Sequence, residues 1–331
     1  MNMGRILEGL AAGKDLSQVD AEQVFDSLFA GELSQAQSGA FLMGLRIKGE
    51  TPVEISAAVK SALKQARLIP DLSGKLIDTC GTGGDNKCSF NCSTATSLVL
   101  AGMGYQVVKH GNRAMSSKCG SADVVEDLGL SIMLDPGDVV QELANRKFVF
   151  LFAPNYHPAF RHVMPVRKEL GCRTLFNLMG PLLNPARPTH QLLGVPNPSI
   201  MPLIAEALLL TGVSRAAVIH GAGGYDEITP FGPAELIWIK DGKFIPDTLQ
   251  PESLGIPTHA PEDVTVAGRE EAVRIVLDLL SGSGPQAMRD MLLLNVAVAL
   301  HLLEEDLPLK KAVEMGRDAL DRKVGRKVLH A

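Results

Sequence analysis

A glycine-rich turn between a strand pattern and a helix pattern is the feature that most constrains how this chain can fold. The β-like residues 76–77 lead into residues 78–85 (DTCGTGGD), and residues 91–94 (NCST) open an apolar helical pattern. A second β-like run, 106–108, leads into residues 109–113 (KHGNR). Glycine lets backbone N–H groups approach an anion, and a helix N-terminus adds partial positive charge. The segment therefore predicts a strand–loop–helix–strand unit that binds a phosphorylated small molecule.

Strand patterns alternate with helical patterns further along the chain, which is typical of an α/β domain with a mostly parallel central sheet flanked by helices. The candidate strands are 75–80, 105–109, 130–134, 147–152, 191–195, 215–220 and 234–240. Ligands of such sheets lie beyond the carboxyl ends of the strands. The loops after residues 80, 109, 152 and 220 carry the unusual polar residues, so we expect these loops to share one site.

Residues 1–72 have the pattern of a small all-helical domain. Residues 34–37 (SQAQ) and 51–54 (TPVE) each match a capping box, in which two side chains satisfy the first free N–H groups of a helix. Asp20 is the predicted N-cap of an earlier helix. We therefore predict a helical domain over 1–72 and an α/β catalytic domain over 73–331.

Composition argues against several other classes of protein. The formal net charge of −5 offers no basic face of the kind that nucleic acid requires. Five cysteines without a Cys-x-x-Cys pair predict reduced thiols, and residues 1–5 (MNMGR) lack the apolar region of a signal peptide. The longest apolar run, 291–303, is too short to span a bilayer and contains Asn295 and His301, so it predicts a buried helix. We expect a cytoplasmic protein that binds neither nucleic acid nor membranes.

Several further motifs follow in order along the chain. They are 116–123 (SSKCGSAD), 156–159 (YHPA), 166–171 (VRKELG), 173–177 (RTLFN), 180–185 (GPLLNP) and 226–227 (DE). Together with GTGGD, NxST and KHGNR, they make almost the whole chain resemble the anthranilate phosphoribosyltransferases. The resemblance implies the second step of tryptophan biosynthesis from chorismate. In that step the 5-phosphoribosyl group of phosphoribosyl pyrophosphate (PRPP) passes to the amine of anthranilate, and pyrophosphate is released.

The resemblance also implies functional residues. Contacts to PRPP are implied for Gly81, Gly84, Asp85, Ser89, Asn91, Ser93, Thr94, Lys109, Gly111, Asn112, Ser117 and Ser121. Contacts to anthranilate are implied for Gly81, Asn112, His157, Arg167 and Pro181. Ligands of magnesium, with two ions per subunit, are implied for Ser93, Asp226 and Glu227. A homodimer formed through the helical domain is implied as well, and part of residues 160–188 would join that domain.

The residue types suit these roles. Lys109 supplies a point charge for phosphate, and the planar guanidinium of Arg167 matches a carboxylate. The adjacent carboxylates of Asp226 and Glu227 offer oxygen ligands to Mg²⁺, which can offset charge on a departing pyrophosphate. His110 suits the site and suits equally well a hydrogen-bonded structural role.

Three alternative hypotheses stay open on the sequence. A pyrimidine nucleoside phosphorylase of the same fold would use free phosphate and would not need the paired acids. A non-catalytic relative that binds nucleic acid would carry a basic surface. A zinc site could use Cys80, Cys88, Cys92 and Cys119, but their spacing fits no familiar zinc pattern. Cys119 also stands where serine is common in the family. The other cations of this region are predicted to be solvated; they are Arg161, Lys168 and Arg173.

Overall fold

The computed structural model describes residues 1–70, 72–85, 87–113, 120–305 and 307–331. The helices before the first strand are α1 (Met3–Ala11), α2 (Gln18–Ala30), α3 (Gln35–Lys48) and α4 (Pro52–Lys64). The strands are β1 (Leu76–Gly81), β2 (Gln106–Gly111), β3 (Phe148–Phe152), β4 (His190–Gly194), β5 (Arg215–His220), β6 (Ala234–Lys240) and β7 (Lys243–Leu249). The later helices are α5 (Cys92–Gly102), α6 (Ser121–Asp127), α7 (Pro136–Arg146), α8 (Ala153–Tyr156), α9 (Met164–Leu170), α10 (Phe176–Met179), α11 (Met201–Thr211), α12 (Arg269–Leu280), α13 (Gln286–Leu303), α14 (Leu309–Asp321) and α15 (Val324–Val328). Short 3₁₀ helices lie at Pro158–His162, Gly180–Leu182, Pro198–Ile200, Pro251–Leu254 and Pro261–Val264.

The N-terminal helices begin where their capping residues are. Both predicted capping boxes are present, at the starts of α3 and α4. The prediction that Asp20 caps α2 is wrong, because the N-cap is Ser17, whose hydroxyl accepts the backbone N–H of Asp20 at 3.1 Å. The helix begins at Gln18, so the Asp20 carboxylate lies in its first turn, where the helix dipole favours negative charge.

Within the described residues the central sheet has seven strands in the order β3-β2-β1-β4-β5-β6-β7. Neighbouring strands from β3 to β5 are parallel, and β6 and β7 are antiparallel additions at one edge. The predicted class, a helical N-terminal region before an α/β region with a mostly parallel sheet, is confirmed. Of the five parallel strands β1 is the middle one, and its carboxyl end leads into the glycine-rich turn.

The two faces of the sheet are covered by different helices. Along β5, Ala217 and Ile219 belong to a core formed with α5 and helices α12–α15, whereas Ala216 and Val218 belong to a core on the other face. Because side chains alternate across a strand, one short strand serves both cores. The second core also contains the apolar residues of α2–α4 and α11, together with Val166 and others from the segment between β3 and β4. The predicted boundary between residues 72 and 73 stays a prediction.

Two features of the sheet differ from the expectation. Residues 130–134 are not a strand, although Leu130 and Ile132 are buried. The carbonyl of Leu134 instead accepts hydrogen bonds from the side chains of Asn155 (2.9 Å) and Tyr156 (2.7 Å). Conversely, β7 was not expected, because its mostly exposed residues show no clear strand pattern.

Helix α13 is the one helix of the described residues that is long and apolar enough to cross a membrane, and 83% of it is buried inside the protein. Such burial is typical of a core helix. The prediction that residues 291–303 form a buried helix is therefore confirmed. The burial of the helix inside the protein confirms it, since its length alone would allow it to cross a membrane.

Candidate active site

A cleft of about 1380 Å³ opens at the carboxyl ends of the central strands. Most of the residues singled out in the sequence line it. They are Gly81, Gly84, Asp85, Ser89, Asn91, Ser93, Lys109, Gly111, Asn112, Ser121, Arg167, Asp226 and Glu227. Loops that are far apart in the chain therefore meet in one space.

Three of the predicted contact residues do not line this cleft. Thr94 is fully buried in the first turn of α5, and His157 and Pro181 are buried behind the cleft wall. The carbonyl of Pro181 accepts a hydrogen bond from the side chain of Gln191 at 2.7 Å. Ser117, like Cys119, lies outside the described residues.

The carboxylates of Asp226 and Glu227 bind to the backbone of the glycine-rich turn and of α5. The N–H of Gly83 donates to Asp226 Oδ2 at 3.1 Å, and the N–H of Ser93 donates to Glu227 Oε1 at 3.2 Å. The hydroxyl of Ser89 donates to Glu227 Oε2 at 2.9 Å. The positive end of α5 and the glycine-rich turn are therefore already oriented towards negative charge.

These carboxylates fit a magnesium ion. Burial raises the pKa of both groups, and neighbouring acids, Asp85 beside Asp226 and Asp226 beside Glu227, raise it further. A bound cation would offset this accumulated negative charge. No group of three or more His, Cys, Asp or Glu side chains that could hold a metal occurs in the described part of the chain. Two carboxylates that leave room for water and substrate oxygens match the usual coordination of Mg²⁺; a zinc site of the cysteines finds no support in these residues.

Three glycines at strand ends let the loop that carries Asp226 and Glu227, called the acidic loop below, lie against the sheet. A methyl group on Gly81 would lie 2.3 Å from Asp226 Oδ2, and one on Gly194 would lie 1.6 Å from the Asp226 carbonyl oxygen. A methyl group on Gly221 would lie 1.9 Å from the carbonyl oxygen of Glu227. The positions of both carboxylates therefore depend on the absence of these Cβ atoms. Gly194 and Gly221 were not identified from the sequence, where nothing distinguishes them from other glycines.

Lys109 is buried beneath the cleft surface and holds the glycine-rich turn through hydrogen bonds. Its side chain is 1% exposed, and its ammonium donates to the Thr79 carbonyl and to the Ser93 hydroxyl, the latter at 3.3 Å. Burial lowers the pKa of Lys109, and the nearby carboxylate of Asp78 opposes that change. Asp78 accepts hydrogen bonds from the Asn184 side chain (2.9 Å) and from the backbone N–H of His110 (3.4 Å). The lysine thus connects β1 with the start of α5.

Arg167 of α9 also lines the cleft. Its guanidinium is 4.9 Å from the centre of the Phe176 ring and makes no ion pair with a carboxylate of the described residues. Burial lowers the pKa of Arg167. A partly desolvated cation of this kind gains stability from an anionic partner, which a ligand can supply.

His110 lines the cleft and packs against His157 behind it, with ring centroids 5.3 Å apart. Burial lowers the pKa of His110 well below its ordinary value and lowers that of His157 to about 4. Both rings are therefore neutral at pH 7. This state suits packing against a flat ligand better than proton transfer.

The burial of His157 predicts how stability changes with pH. Its folded pKa is lower than its unfolded value, so the unfolded chain binds the proton more readily, and stability falls as the pH drops from about 6.5 towards 4. Between pH 7 and pH 5 the free energy of unfolding should decrease by on the order of 1–2 kcal/mol because of this residue. In the His157→Gln variant that decrease should be smaller by the same amount, as measured by urea denaturation.

Each protein is compared with itself at the two pH values, so a uniform loss of packing in the variant cancels. An equal pH dependence in both proteins would contradict the buried, neutral state of His157.

The two walls of the cleft touch at Arg173. Its Nη2 donates to the carbonyl of Gly84 at 3.0 Å, and its own carbonyl accepts a hydrogen bond from Arg46 of α3. The prediction that Arg173 is a solvated cation is therefore incomplete, because it connects α3 with the glycine-rich turn. No sequence signal identified this contact, since the partner is a backbone carbonyl.

Comparison with known families agrees with this architecture. Residues 5–66 match the helical bundle domain of a glycosyl transferase family, and residues 73–323 match the a/b domain of a glycosyl transferase family. The fold and the cleft thus define a two-part glycosyl transferase.

The relatives identify the branch of that family. The chain is 57% identical to the anthranilate phosphoribosyltransferase of Nitratidesulfovibrio vulgaris, over 98% of each chain. It is 54% identical to that of Oleidesulfovibrio alaskensis, over 100% of each. The chain belongs to the anthranilate phosphoribosyltransferase family.

Solved structures of the family have the same fold. The enzyme from Thermus thermophilus superposes with a TM-score of 0.92 at 36% identity, covering 100% of this chain and 98% of that one. The enzyme from Saccharomyces cerevisiae, solved in complex with PRPP and Mg, superposes with a TM-score of 0.90 at 25% identity, covering 99% of this chain and 96% of that one.

Proposed function

We propose that this protein transfers the 5-phosphoribosyl group of PRPP to the amine of anthranilate, giving N-(5-phosphoribosyl)anthranilate and pyrophosphate in tryptophan biosynthesis. The observation that carries the proposal is the cleft itself. A glycine-rich turn, a helix N-terminus and the Asp226–Glu227 pair converge there, together with the guanidinium of Arg167. These features suit a donor with phosphates and an acceptor with a carboxylate.

The donor would lie over the glycine-rich turn and the start of α5. The proposed contacts are Gly81, Gly84, Asp85, Ser89, Asn91, Ser93, Thr94, Lys109, Gly111, Asn112, Ser117 and Ser121. Backbone N–H groups and hydroxyls near a helix N-terminus favour phosphate oxygens. Thr94 and Lys109 are buried, so we expect them to act by holding the turn and the helix in place.

The acceptor would lie between the donor and α9. The proposed contacts are Gly81, Asn112, His157, Arg167 and Pro181. Arg167 would pair with the carboxylate of anthranilate through its planar fork. The buried and neutral His157, with Pro181, would form the apolar wall that supports the ring, acting from behind the cleft surface.

We further propose that the enzyme uses magnesium, with two ions per subunit. Asp226, Glu227 and the hydroxyl of Ser93 would provide protein ligands. When bound, the ion would supply positive charge that stabilises the departing pyrophosphate.

The chemistry needs positioning more than proton transfer. A bond forms between the anthranilate nitrogen and C1 of the ribose as the bond from C1 to the pyrophosphate oxygen breaks, and that electron pair leaves with pyrophosphate. The nitrogen then loses one proton to solvent. An aromatic amine is a neutral nucleophile at pH 7, so no activated base is required. The chain contributes by holding donor and acceptor in line, and the hydrogen bond from Arg173 to Gly84 ties together the two walls that would hold them.

Four further parts of the proposal concern the whole protein. We propose a homodimer formed through the helical domain and a cytoplasmic location. The acidic net charge and the burial of α13 support a protein that binds neither nucleic acid nor membranes. We also propose the division into a helical domain over 1–72, joined by part of 160–188, and a catalytic domain over 73–331.

A reconstitution assay tests the reaction. Pyrophosphate should be released only when protein, PRPP, Mg²⁺ and anthranilate are all present, together with a phosphoribosylated anthranilate identified by mass. Cleavage of a pyrimidine nucleoside by free phosphate, without release of pyrophosphate, would support the nucleoside phosphorylase instead.

Arg167→Ala should raise the KM for anthranilate by about ten- to a hundredfold, the effect of losing a hydrogen bond to a charged group. The KM for PRPP should change far less, because Arg167 belongs to α9 and not to the glycine-rich turn or the start of α5. Arg167→Lys should restore little, since an ammonium cannot reproduce the planar fork. Steady-state kinetics with each substrate varied in turn gives both constants.

Arg317→Ala is the control, because it removes one positive charge from an exposed position on α14, away from the residues that line the cleft. It should leave the KM for anthranilate nearly unchanged. An unchanged constant in a folded Arg167→Ala protein would remove Arg167 from the acceptor site.

A further inference from the structure

Asn295 is an amide buried in the middle of an apolar helix. It lies in α13, where 83% of the helix is buried, and its own exposure is 3%. A buried amide is unfavourable unless its donor and acceptor atoms are both paired. Its presence therefore calls for specific partners.

Those partners belong to a single residue of the acidic loop. Asn295 Oδ1 accepts the N–H of Ile228 at 3.1 Å, and Nδ2 donates to the Ile228 carbonyl at 2.9 Å. The same Nδ2 donates to the carbonyl of Met291 in its own helix at 2.8 Å. One side chain thus holds both backbone polar groups of the residue that directly follows Glu227.

These hydrogen bonds from Asn295 hold the acidic loop on the side opposite to the glycines of the sheet. The carbonyl of Asp226 lies against Gly194 and that of Glu227 lies against Gly221. A residual cavity of about 10 Å³ borders Asp226, Glu227 and Asn295, which is no more space than one water molecule needs. The loop is therefore held from two sides with little free volume for another conformation.

We propose that Asn295 is a positioning residue for the carboxylates of Asp226 and Glu227. The peptide plane between Glu227 and Ile228 is set by the Ile228 N–H, so fixing that group also limits where the Glu227 side chain can point. The inference rests on the proposed function, in which these carboxylates bind magnesium. Asn295 does not touch the ligand itself and acts only through the loop.

Asn295→Ser tests the proposal, because the shorter side chain cannot reach both backbone groups of Ile228. The half-saturating Mg²⁺ concentration of the reaction should rise by about ten- to a hundredfold, the usual effect of losing an outer-sphere partner. The affinity for Mn²⁺ in the presence of PRPP, measured by electron paramagnetic resonance without turnover, should fall by a similar factor. The KM for anthranilate should change much less.

Val296→Ala is the matched control. Val296 is the neighbouring residue and is equally buried, but its side chain faces Gly316 of α14 and not the acidic loop. It should lower Tm, as a large-to-small change in a core does, and leave the metal response as in the wild type. A folded Asn295→Ser protein whose Mg²⁺ and Mn²⁺ responses equal those of Val296→Ala would overturn the proposal.

The wild-type protein provides a test that does not depend on folding of the variant. In hydrogen exchange without ligands, the peptide covering residues 226–229 should be protected as strongly as α13, although it borders the cleft. Rapid exchange there would also overturn the proposal. A wild type with no metal requirement and no phosphoribosyl transfer would contradict the proposed function. A wild type with both, whose Asn295 variants have an unchanged metal response, would contradict only the role of Asn295.

Discussion

Replacing Asp226 with Asn and Glu227 with Gln in one protein should lower kcat more than about a hundredfold, the effect of losing roughly 3 kcal/mol of transition-state stabilisation. More Mg²⁺ should be needed for half-maximal rate. The fold should survive and melt at or above the wild-type temperature, because burial already disfavours the charges of both groups. The new amide oxygens can still accept the N–H groups of Gly83 and Ser93, and the Ser89 hydroxyl can rotate to accept the amide N–H that replaces Glu227 Oε2. Kinetics at varied Mg²⁺ and a thermal melt measure the two effects.

A second pair of adjacent acids provides the control. Glu262 and Asp263 are exposed in a 3₁₀ helix, and the same exchange there, Glu262→Gln with Asp263→Asn, removes an equal charge. That variant should keep its rate and its magnesium response. Full activity with an unaltered magnesium response in the Asp226 and Glu227 variant would show that the metal-assisted mechanism is wrong.

Gly194→Ala should reduce kcat/KM by about a hundredfold or more, since displacement of catalytic groups by about 1 Å has effects of that size. The added methyl group would lie 1.6 Å from the carbonyl oxygen of Asp226, so the acidic loop must move away from the sheet. Tm should fall as well, because the loop is held on its other side by Asn295 and cannot shift freely. Steady-state kinetics and a thermal melt of the same preparation provide the test.

The control substitution is Gly137→Ala. Gly137 lies in α7, and a methyl group there meets no atom within 4 Å. This variant should keep full activity and gain up to about 1 kcal/mol of stability, as alanine favours a helix more than glycine does. A Gly194→Ala protein that behaves like Gly137→Ala would contradict the close approach of the acidic loop to β4.

Much of the fold could be predicted because it follows from local chemistry. The capping boxes at Ser34 and Thr51 specify where α3 and α4 begin, whatever the rest of the chain does. The alternation of strands and helices specifies a parallel sheet, and the strand ends of a parallel sheet meet along one edge. For this reason the glycine-rich turn, residues 109–113 and the Asp226–Glu227 pair could be assigned to one site before any distance was known.

The local patterns failed where another group formed the hydrogen bond on which the prediction depended. Residues 130–134 have the composition of a strand, but they pair with no strand of the described residues, and the carbonyl of Leu134 bonds to side chains instead. Asp20 has the chemistry of a cap, but Ser17 lies one turn nearer the start of α2. In both cases a competing hydrogen bond decided the outcome.

Short sequence motifs thus indicate the reactive groups of the cleft, whereas the contacts that position those groups are visible only in the tertiary structure. Residue type and order indicated the carboxylates and hydroxyls of one ligand site, and the resemblance to the family added Arg167. The roles of Arg173, Gly194 and Asn295 depend on contacts with backbone carbonyls and N–H groups of distant segments. Nearly every residue carries the same backbone N–H and C=O groups, so no sequence pattern shows which of these groups a distant residue will contact. Packing alone brings them together.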